Sequence, residues 1–127
     1  MANRFEKHYT LEEARALLPQ VRVWLKRLNT LRHDLERCDK RLRSLMNPGH
    51  DVGGDTVNQW IRTLAEMHAV LGEFQRREIQ IKDLERGLID FPAIIGGREV
   101  FLCWEQHEED IEFWHDLDSG YSGRERL

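Results

Sequence analysis

Apolar residues recur at alternating spacings of three and four positions along the first third of the chain. Such a heptad pattern, held over many turns, is typical of a long helix that buries one narrow stripe against a second helix. The stripe consists of Val21, Trp24, Leu28, Leu31, Leu35, Cys38, Leu42 and Leu45. Basic side chains such as Arg22, Lys26 and Arg37 lie on the opposite side, which we expect to face solvent. We predict that Asn47-Pro48-Gly49 ends this helix.

A second stripe with the same spacing predicts a second long helix after a loop at residues 50–54, with Asp55 as its N-cap. The stripe consists of Val57, Trp60, Leu64, Met67, Leu71 and Phe74, broadened by Ile61 and Val70. Two helices of similar length joined by a short loop predict an antiparallel, coiled-coil-like hairpin. Because one hairpin leaves much apolar edge uncovered, we expect self-association, most simply a homodimer with four helices.

The segment before the long stripe predicts a short N-terminal helix of its own. Thr10 followed by Glu13 is a capping box, which marks a helix start. Pro19 cannot donate a backbone hydrogen bond and crowds the preceding turn. We therefore expect the short helix to end near Leu18, with Pro19 beginning the long helix or kinking the chain.

Beyond Glu78 the apolar period changes from helical to alternating, which predicts a small antiparallel β unit. A first strand is predicted over residues 79–83. A second strand carries Phe91 and Ala93 on one face, and Pro92 is expected to restrict it to a sheet edge.

The rest of the β unit is predicted from its glycines and from one apolar run. Gly96-Gly97 suits a two-residue hairpin turn. The returning strand over residues 100–104 is apolar throughout, so both of its faces should be covered. Residues 108–115 are predicted to form one last short helix, and residues 120–124 a loop or tail.

These patterns predict an α+β protein that is mostly helical. Its 127 residues suit one domain, with the helical hairpin in residues 1–78 and the β unit and C-terminal segment in residues 79–127. Residues 1–49 carry eleven Lys and Arg against six Asp and Glu, whereas residues 50–127 carry eight against seventeen. We expect the two halves to complement each other, and the acidic half argues against a nucleic-acid partner.

Sequence features also predict the cellular compartment. Cys38 and Cys103 form neither a disulfide framework nor a zinc-finger spacing, so reduced thiols are expected. The N-terminal residues lack the apolar region of a signal peptide, and no run is apolar enough to span a membrane. We therefore predict a cytoplasmic protein without a membrane partner.

Several motifs in one order make the chain resemble, end to end, a bacterial family known as domain of unknown function 2203. The motifs are Tyr9-Thr10-Leu11-Glu12-Glu13-Ala14, Leu17-Leu18-Pro19, Lys82-Asp83-Leu84, Gly87-Leu88-Ile89-Asp90-Phe91-Pro92-Ala93, Gly97-Arg98-Glu99-Val100, Leu102-Cys103-Trp104, Trp114-His115-Asp116 and Gly120-Tyr121-Ser122-Gly123-Arg124. The resemblance implies a helical hairpin with a small β unit, and it implies no assigned activity. Members tend to have Gly-Glu where this chain has His107-Glu108.

Polar, aromatic and titratable residues are concentrated in the C-terminal third, which is where a ligand or partner site is expected. The candidate residues are Lys82, Asp83, Asp90, Cys103, Trp104, Glu108, Trp114, His115 and Arg124. A groove between the β unit and the last helix is the expected contact site, lined by Asp90, Trp104, Glu108, Trp114, His115 and Arg124.

A divalent metal is an alternative to a site without a cofactor. Glu112 and His115 form a Glu-x-x-His pair, which would share one face of a helix. Di-iron carboxylate bundles need a second such pair, and the chain has none. A mononuclear site could draw on His107, Glu108, Glu112 and His115, with Cys103 or Asp90 as further ligands.

Thiol catalysis is a further alternative, with Cys103 as nucleophile, His115 as base, and Asp90 or Asp116 orienting the imidazole. A thiol inside an apolar strand is usually inert, however. We therefore expect a non-enzymatic interaction protein, a scaffold or small regulator that binds a second copy or another protein. The alternative function is a metal-dependent or small-molecule-handling enzyme that uses the Cys-Trp and Trp-His motifs.

Overall fold

A computed structural model describes residues 2–45 and 54–127, and it shows two helices followed by a five-stranded antiparallel sheet. The helices are Leu11–Leu45 (α1) and Gly54–Arg76 (α2). The strands are Gln80–Asp83 (β1), Leu88–Ile95 (β2), Arg98–Glu105 (β3), Phe113–Asp116 (β4) and Glu125–Arg126 (β5), with a 3-10 turn at Tyr121–Gly123. The predicted α+β class is confirmed. The expected helix stop at Asn47-Pro48-Gly49 lies outside the described residues.

Helix α1 begins as predicted but does not break at its proline. The Thr10 amide donates to Glu13 Oε1 at 2.9 Å, and the Glu13 amide donates to Thr10 Oγ1 at 3.1 Å, which completes the capping box. Pro19 lies inside the helix, so the prediction of a separate short helix ending near Leu18 is wrong.

Packing explains why the helix continues through Pro19. Ala14, Leu18 and Val21 lie on one stripe that crosses the proline, and all three are buried in the main core. A fully buried Val or Leu contributes about 1.5–3 kcal/mol, so two of them together offset the roughly 3 kcal/mol that an internal proline costs.

The two helices form the predicted antiparallel hairpin. Trp24 contacts Phe74 with ring centroids 5.4 Å apart, whereas Cys38, further along α1, shares a cavity with Thr56 near the start of α2. The contacts therefore run in opposite order along the two helices. The predicted stripe positions that are buried in α1 are Val21, Leu28, Leu31 and Cys38. Neither helix, over the residues described, is long and apolar enough to cross a membrane.

The buried face of α2 is rotated from the one that its apolar residues predict. Thr56, Thr63 and Phe74 are the buried residues of α2, while Val57 and Leu64 are only half-buried. The Thr63 hydroxyl donates to the Gln59 carbonyl at 2.9 Å, so a polar side chain is accommodated next to α1. As a result, one apolar flank of α2 remains partly exposed.

The sheet is a meander in the order β1-β2-β3-β4-β5, and its inner face packs on α1. Alternate residues of β2 and β3 supply that face: Ile89, Phe91, Ala93, Val100, Leu102 and Trp104. Arg22 of α1 lies over the Trp104 ring at 4.8 Å and donates to the Gln106 carbonyl at 2.8 Å. Both faces of residues 100–104 are buried, as predicted.

Pro92 does not lie on an edge strand, because β2 pairs with both β1 and β3. Pairing with β1 ends at Asp90, and beyond that point the N-terminal segment takes the place of β1. The Tyr9 amide donates to the Pro92 carbonyl at 2.7 Å. The nitrogen and the carbonyl of a strand residue point to the same side. The Pro92 nitrogen, which carries no hydrogen, therefore faces the contact with Tyr9, where no neighbouring strand needs a donor.

Residues 108–115 do not form the predicted helix. Phe113–Asp116 forms β4 instead, with Val100 opposite Asp116 and Cys103 opposite Phe113. The physical reason lies at the edge of β3 that does not pair with β2. The backbone groups along this edge are buried and need hydrogen-bond partners, which a neighbouring strand supplies and a helix does not. The expected groove between sheet and C-terminal helix is consequently absent from the described residues.

Two tight turns carry glycines with left-handed backbone. Gly96 and Gly97 have φ values of 59° and 75°, which confirms the hairpin turn between β2 and β3. Gly87, with φ 66°, joins β1 to β2, and its carbonyl accepts a hydrogen bond from the Gln106 amide at 3.1 Å.

Replacing Gly87 with Ala is expected to weaken the fold. The new methyl group would lie 2.6 Å from Gln106 Cδ, and left-handed backbone disfavours side chains. We expect the free energy of unfolding to fall by about 1–3 kcal/mol in urea denaturation.

The control for this variant is Gly120→Ala. A methyl group at Gly120 meets nothing within 4 Å, and its φ of −105° suits any residue. We expect a change within about 0.5 kcal/mol. Equal effects at the two glycines would contradict the assignment of Gly87 as a required turn residue.

Candidate functional site

Three titratable side chains meet on the outer face of the sheet, the face turned away from α1. They are Asp90 of β2, Cys103 of β3 and His115 of β4. Asp90 lies directly opposite Cys103 in the strand register, and His115 lies opposite Phe101, which is two residues from Cys103 on the same face. Three adjacent strands therefore bring together residues that are far apart in sequence.

The three side chains are almost completely buried. Their relative exposures are 1% for Asp90, 0% for Cys103 and 2% for His115. One potential ligand atom from each lies within 4.8 Å of the other two. His115 Nε2 is 2.9 Å from Asp90 Oδ2, and His115 Nδ1 is 2.7 Å from the Asp116 carbonyl oxygen. We call this group the buried triad.

The hydrogen bonds of His115 indicate a doubly protonated, positively charged ring. A carbonyl oxygen can only accept, so Nδ1 must donate to Asp116, and Nε2 faces the carboxylate of Asp90. Burial alone lowers the pKa of His115, but its contacts with Asp90, Cys103 and the Asp116 carbonyl outweigh that effect and raise the pKa to about 10. Asp90 and His115 thus form a buried ion pair.

This arrangement does not suit His115 to act as the base for a Cys103 nucleophile. Both ring nitrogens are engaged with oxygen acceptors, so neither holds a lone pair that could take the thiol proton. The Cys103 side chain is also closed to solvent. The triad has the residue types of a Cys-His-Asp catalytic group without its geometry.

Arg124 covers the sulfur side of the buried triad. Its Nη1 lies 3.9 Å from Cys103 Sγ. The guanidinium also forms a bidentate pair with Glu108, at 3.0 and 2.8 Å, and lies over the rings of Phe113 and Tyr121 at 3.9 and 4.2 Å. Bidentate pairing and ring stacking fix the position of Arg124 more firmly than a single salt bridge would.

A second polar group adjoins the first and contains residues that the sequence analysis missed. Arg86 Nε donates to Glu105 Oε1 at 3.0 Å, and the Arg86 guanidinium lies over the Tyr121 ring at 4.5 Å. Burial raises the pKa of Glu105, but the hydrogen bond from Arg86 outweighs it and the pKa is lowered. The strand alternation Phe101, Cys103, Glu105 is the signal in the sequence that places Glu105 on the face of the triad.

The remaining candidate residues lie in different places. Trp104 and Trp114 belong to the inner side of the sheet, and Trp104 Nε1 donates to the Glu108 carbonyl at 2.9 Å. Lys82 is on the outer face, where its Nζ lies 4.8 Å from the centroid of the Phe101 ring. Asp83 lies apart from the triad and accepts a hydrogen bond from the Arg86 amide at 3.0 Å.

Of the metal ligands proposed from the sequence, Asp90 and Cys103 converge with His115, whereas His107, Glu108 and Glu112 are not part of that group. His107 is exposed, Glu108 is paired with Arg124, and Glu112 lies 3.5 Å from Arg126. The Glu-x-x-His interpretation is wrong because it requires a helix. Glu112 precedes β4, which begins at Phe113, so Glu112 and His115 do not share a helix face.

Replacing Asp90 with Asn tests the buried ion pair. The change removes the negative charge beside His115 while keeping the shape of the side chain. Because breaking one partner of a buried pair leaves a charge uncompensated, we expect the free energy of unfolding to fall by about 3–5 kcal/mol. Urea denaturation in the presence of EDTA measures this loss.

The matched control is Asp118→Asn. Asp118 also pairs with a cation, Arg4 at 3.0 Å, but its side chain is 91% exposed. An exposed pair is worth at most about 1 kcal/mol, so the control should change stability little. If both substitutions destabilised the protein equally, the assignment of a buried ion pair would be wrong.

The contribution of His115 is also expected to depend on pH. Its pKa is about 10 in the folded protein against an ordinary value of 6.5, so the folded state holds a proton that the unfolded chain releases between these values. The added stability is complete below pH 6.5 and is lost as the pH rises through 10. The stability difference between wild type and Asp90→Asn should therefore shrink over this range, and a constant difference would contradict a charged His115.

Comparison with known proteins assigns the chain to a family. Residues 7–127 match the profile of a family described as "Uncharacterized conserved protein (DUF2203)", which confirms the resemblance seen in the motifs. No curated protein and no solved structure matches the chain at a significant level. Over nearly its whole length, the chain belongs to the uncharacterised conserved family DUF2203.

Proposed function

We propose that this protein functions by association, as a homodimeric scaffold or small regulator, and that α2 provides the dimer contact. The observation that carries the proposal is an uncharged, partly exposed flank of α2. The flank consists of Val57, Ile61, Leu64, Ala65, His68 and Gly72, which share one side of the helix at spacings of three and four. We call it the α2 flank.

The α2 flank is exposed because the hairpin buries a neighbouring stripe. Thr56 and Thr63 are buried in α2, whereas Ile61 retains 53% of its surface and Val57 and Leu64 are half-buried. In a single chain, α2 buries threonines and leaves an isoleucine in solvent, so apolar surface remains that a partner could bury. The flank runs about 22 Å from Val57 to Gly72, long enough for a helix-to-helix contact.

A second copy of the chain is the occupant that suits this surface. In a two-fold contact each side chain meets the same surface of the partner, so a charged flank would repel itself. The α2 flank contains no Asp, Glu, Lys or Arg. Ala65 and Gly72 are small and allow two helices to approach closely, while Ile61 and Leu64 supply apolar area.

Charge distribution favours an antiparallel pairing of the two copies. Residues 26–45 of α1 carry seven Lys and Arg against three Asp and Glu, whereas residues 78–127 carry five against thirteen. An antiparallel contact along α2 brings the basic tip of one hairpin beside the acidic sheet of the other. This complementarity would steer and orient the association.

We further propose that the dimer works in the cytoplasm. Cys38 and Cys103 are both buried, free cysteines, and unpaired thiols are the usual state of proteins in a reducing compartment.

Replacing Ile61 with Asp tests the dimer. The substitution places a charge in the centre of the α2 flank, and each dimer carries two copies of it. Loss of a buried apolar contact, about 1.5–3 kcal/mol per copy, predicts a dissociation constant raised at least about tenfold. Sedimentation equilibrium of the full chain measures this constant.

Val23→Asp is the matched control, since Val23 is another β-branched residue, 60% exposed, on α1. It should fold and dimerise like wild type, and circular dichroism should show the same helix content in all three proteins. A wild-type chain that stays monomeric through the micromolar range would sink the proposal. If Ile61→Asp and Val23→Asp raised the dissociation constant equally, the assignment of the α2 flank as the contact surface would be wrong.

A further inference from the structure

The buried triad has the composition of a metal site as well as that of an ion pair. We propose that Asp90, Cys103 and His115 together bind one divalent cation of borderline softness, for which Zn²⁺ is the natural candidate. One oxygen, one sulfur and one nitrogen converge within 4.8 Å on a closed part of the sheet. Carboxylate, thiolate and imidazole are the three ligand types that Zn²⁺ takes from proteins.

The orientation of the His115 ring is the one that a metal ligand requires. Nδ1 donates to the Asp116 carbonyl at 2.7 Å, which fixes the ring and directs Nε2 toward Asp90 and Cys103. Histidine ligands usually donate their second ring N–H to a carbonyl or carboxylate in this manner, because the hydrogen bond sets the tautomer and orientation. The protein thus supplies both the ligand, His115, and the Asp116 carbonyl that orients it.

A buried Asp90 oxygen that has no hydrogen-bond partner among the described residues is a second and independent indication. Within residues 2–45 and 54–127, Asp90 Oδ1 has no hydrogen-bond partner, although it is buried. A buried carboxylate oxygen without a partner is costly, and such groups in native proteins call for an explanation. A cation bound between Asp90, Cys103 and His115 would provide this oxygen with an electrostatic partner.

The charges of the three ligands would balance a bound divalent cation. Metal ligands must be deprotonated, so Cys103 would bind as a thiolate and His115 as a neutral imidazole, and any proton that they hold would leave to solvent. The carboxylate of Asp90 and the thiolate of Cys103 would then balance the two positive charges of Zn²⁺, and the occupied site would carry no net charge.

The surroundings indicate that the metal would have a structural role. Arg124, held by Glu108 and stacked on Tyr121, closes the sulfur side of the triad. Zinc takes four ligands, and catalytic sites keep one position open to substrate, so a closed site with three protein ligands would need an enclosed water as the fourth. A bound cation would tie together β2, β3 and β4.

The test is titration of the metal-free full-length chain with Co²⁺, followed by displacement with Zn²⁺. Cobalt bound to a thiolate gives a charge-transfer absorption that oxygen and nitrogen ligands do not give. The chain has two cysteines, so the Cys38→Ser variant leaves Cys103 as its only thiol. We expect one Co²⁺ per chain with the thiolate band, in wild type and in Cys38→Ser alike, and release of Co²⁺ by Zn²⁺.

Variants of the other candidate ligands complete the test. His107→Ala removes an exposed histidine and should leave the band and the stoichiometry unchanged, whereas Cys103→Ser should abolish the band. Absence of stoichiometric Co²⁺ binding in wild type, or loss of the band in Cys38→Ser, would show that the triad is an ion pair only. The Cys38→Ser result does not require the Cys103→Ser variant to fold. Ile61→Asp should bind metal normally, which separates this proposal from the dimer.

Discussion

Burial of the apolar stripe of α1 against the inner face of the sheet is the interaction on which the rest of the structure depends. The stripe, from Ala14 to Leu28, meets Phe91 and Trp104, and all of these side chains are essentially closed to solvent. This contact keeps α1 helical through Pro19. It also sets the register of β2 and β3, because a slip of one residue would turn every inner side chain outward. The positions of the polar residues on the other face follow from that register.

The outer face shows what this constraint produces. With Trp104 directed toward α1, its neighbours Cys103 and Glu105 must point the other way, and pairing of the strands then places Cys103 opposite Asp90. The short strand β4 adds His115 to the same face. The N-terminal segment, through Phe5 against Phe101, and the Arg124 region cover these groups. The outer face thus becomes a second buried layer in which polar side chains lie beside apolar ones.

Sequence patterns predict the parts of this fold that depend on local signals. The capping box at Thr10 and the Gly96-Gly97 turn each have a local physical cause and are present in the structure. The stripe of α1 is confirmed in part, since four of its eight predicted positions are buried. The predictions are wrong where a contact between distant parts of the chain determines the local structure. A four-residue segment around His115 contains too few residues to distinguish a helical period from a strand period, and the open edge of β3 determines its conformation. The burial of Thr63 is not predicted, because the polarity of its side chain predicts exposure, whereas the structure buries this position in α2. The residues of the triad were all candidates, but only the strand register brings them together.

Stability alone does not account for an Asp, a His and a Cys at the centre of a closed sheet face. A buried ion pair returns little more than the desolvation of its charges costs, and apolar side chains of similar volume often give a more stable protein. The adjacent apolar residues Leu88 and Phe101 show that this face can hold such side chains. Asp90 Oδ1, which has no hydrogen-bond partner in the described parts of the chain, adds a desolvation cost. The proposed cation would use donor atoms of all three side chains, and this role would explain why a group that costs stability is kept in an enclosed part of the sheet.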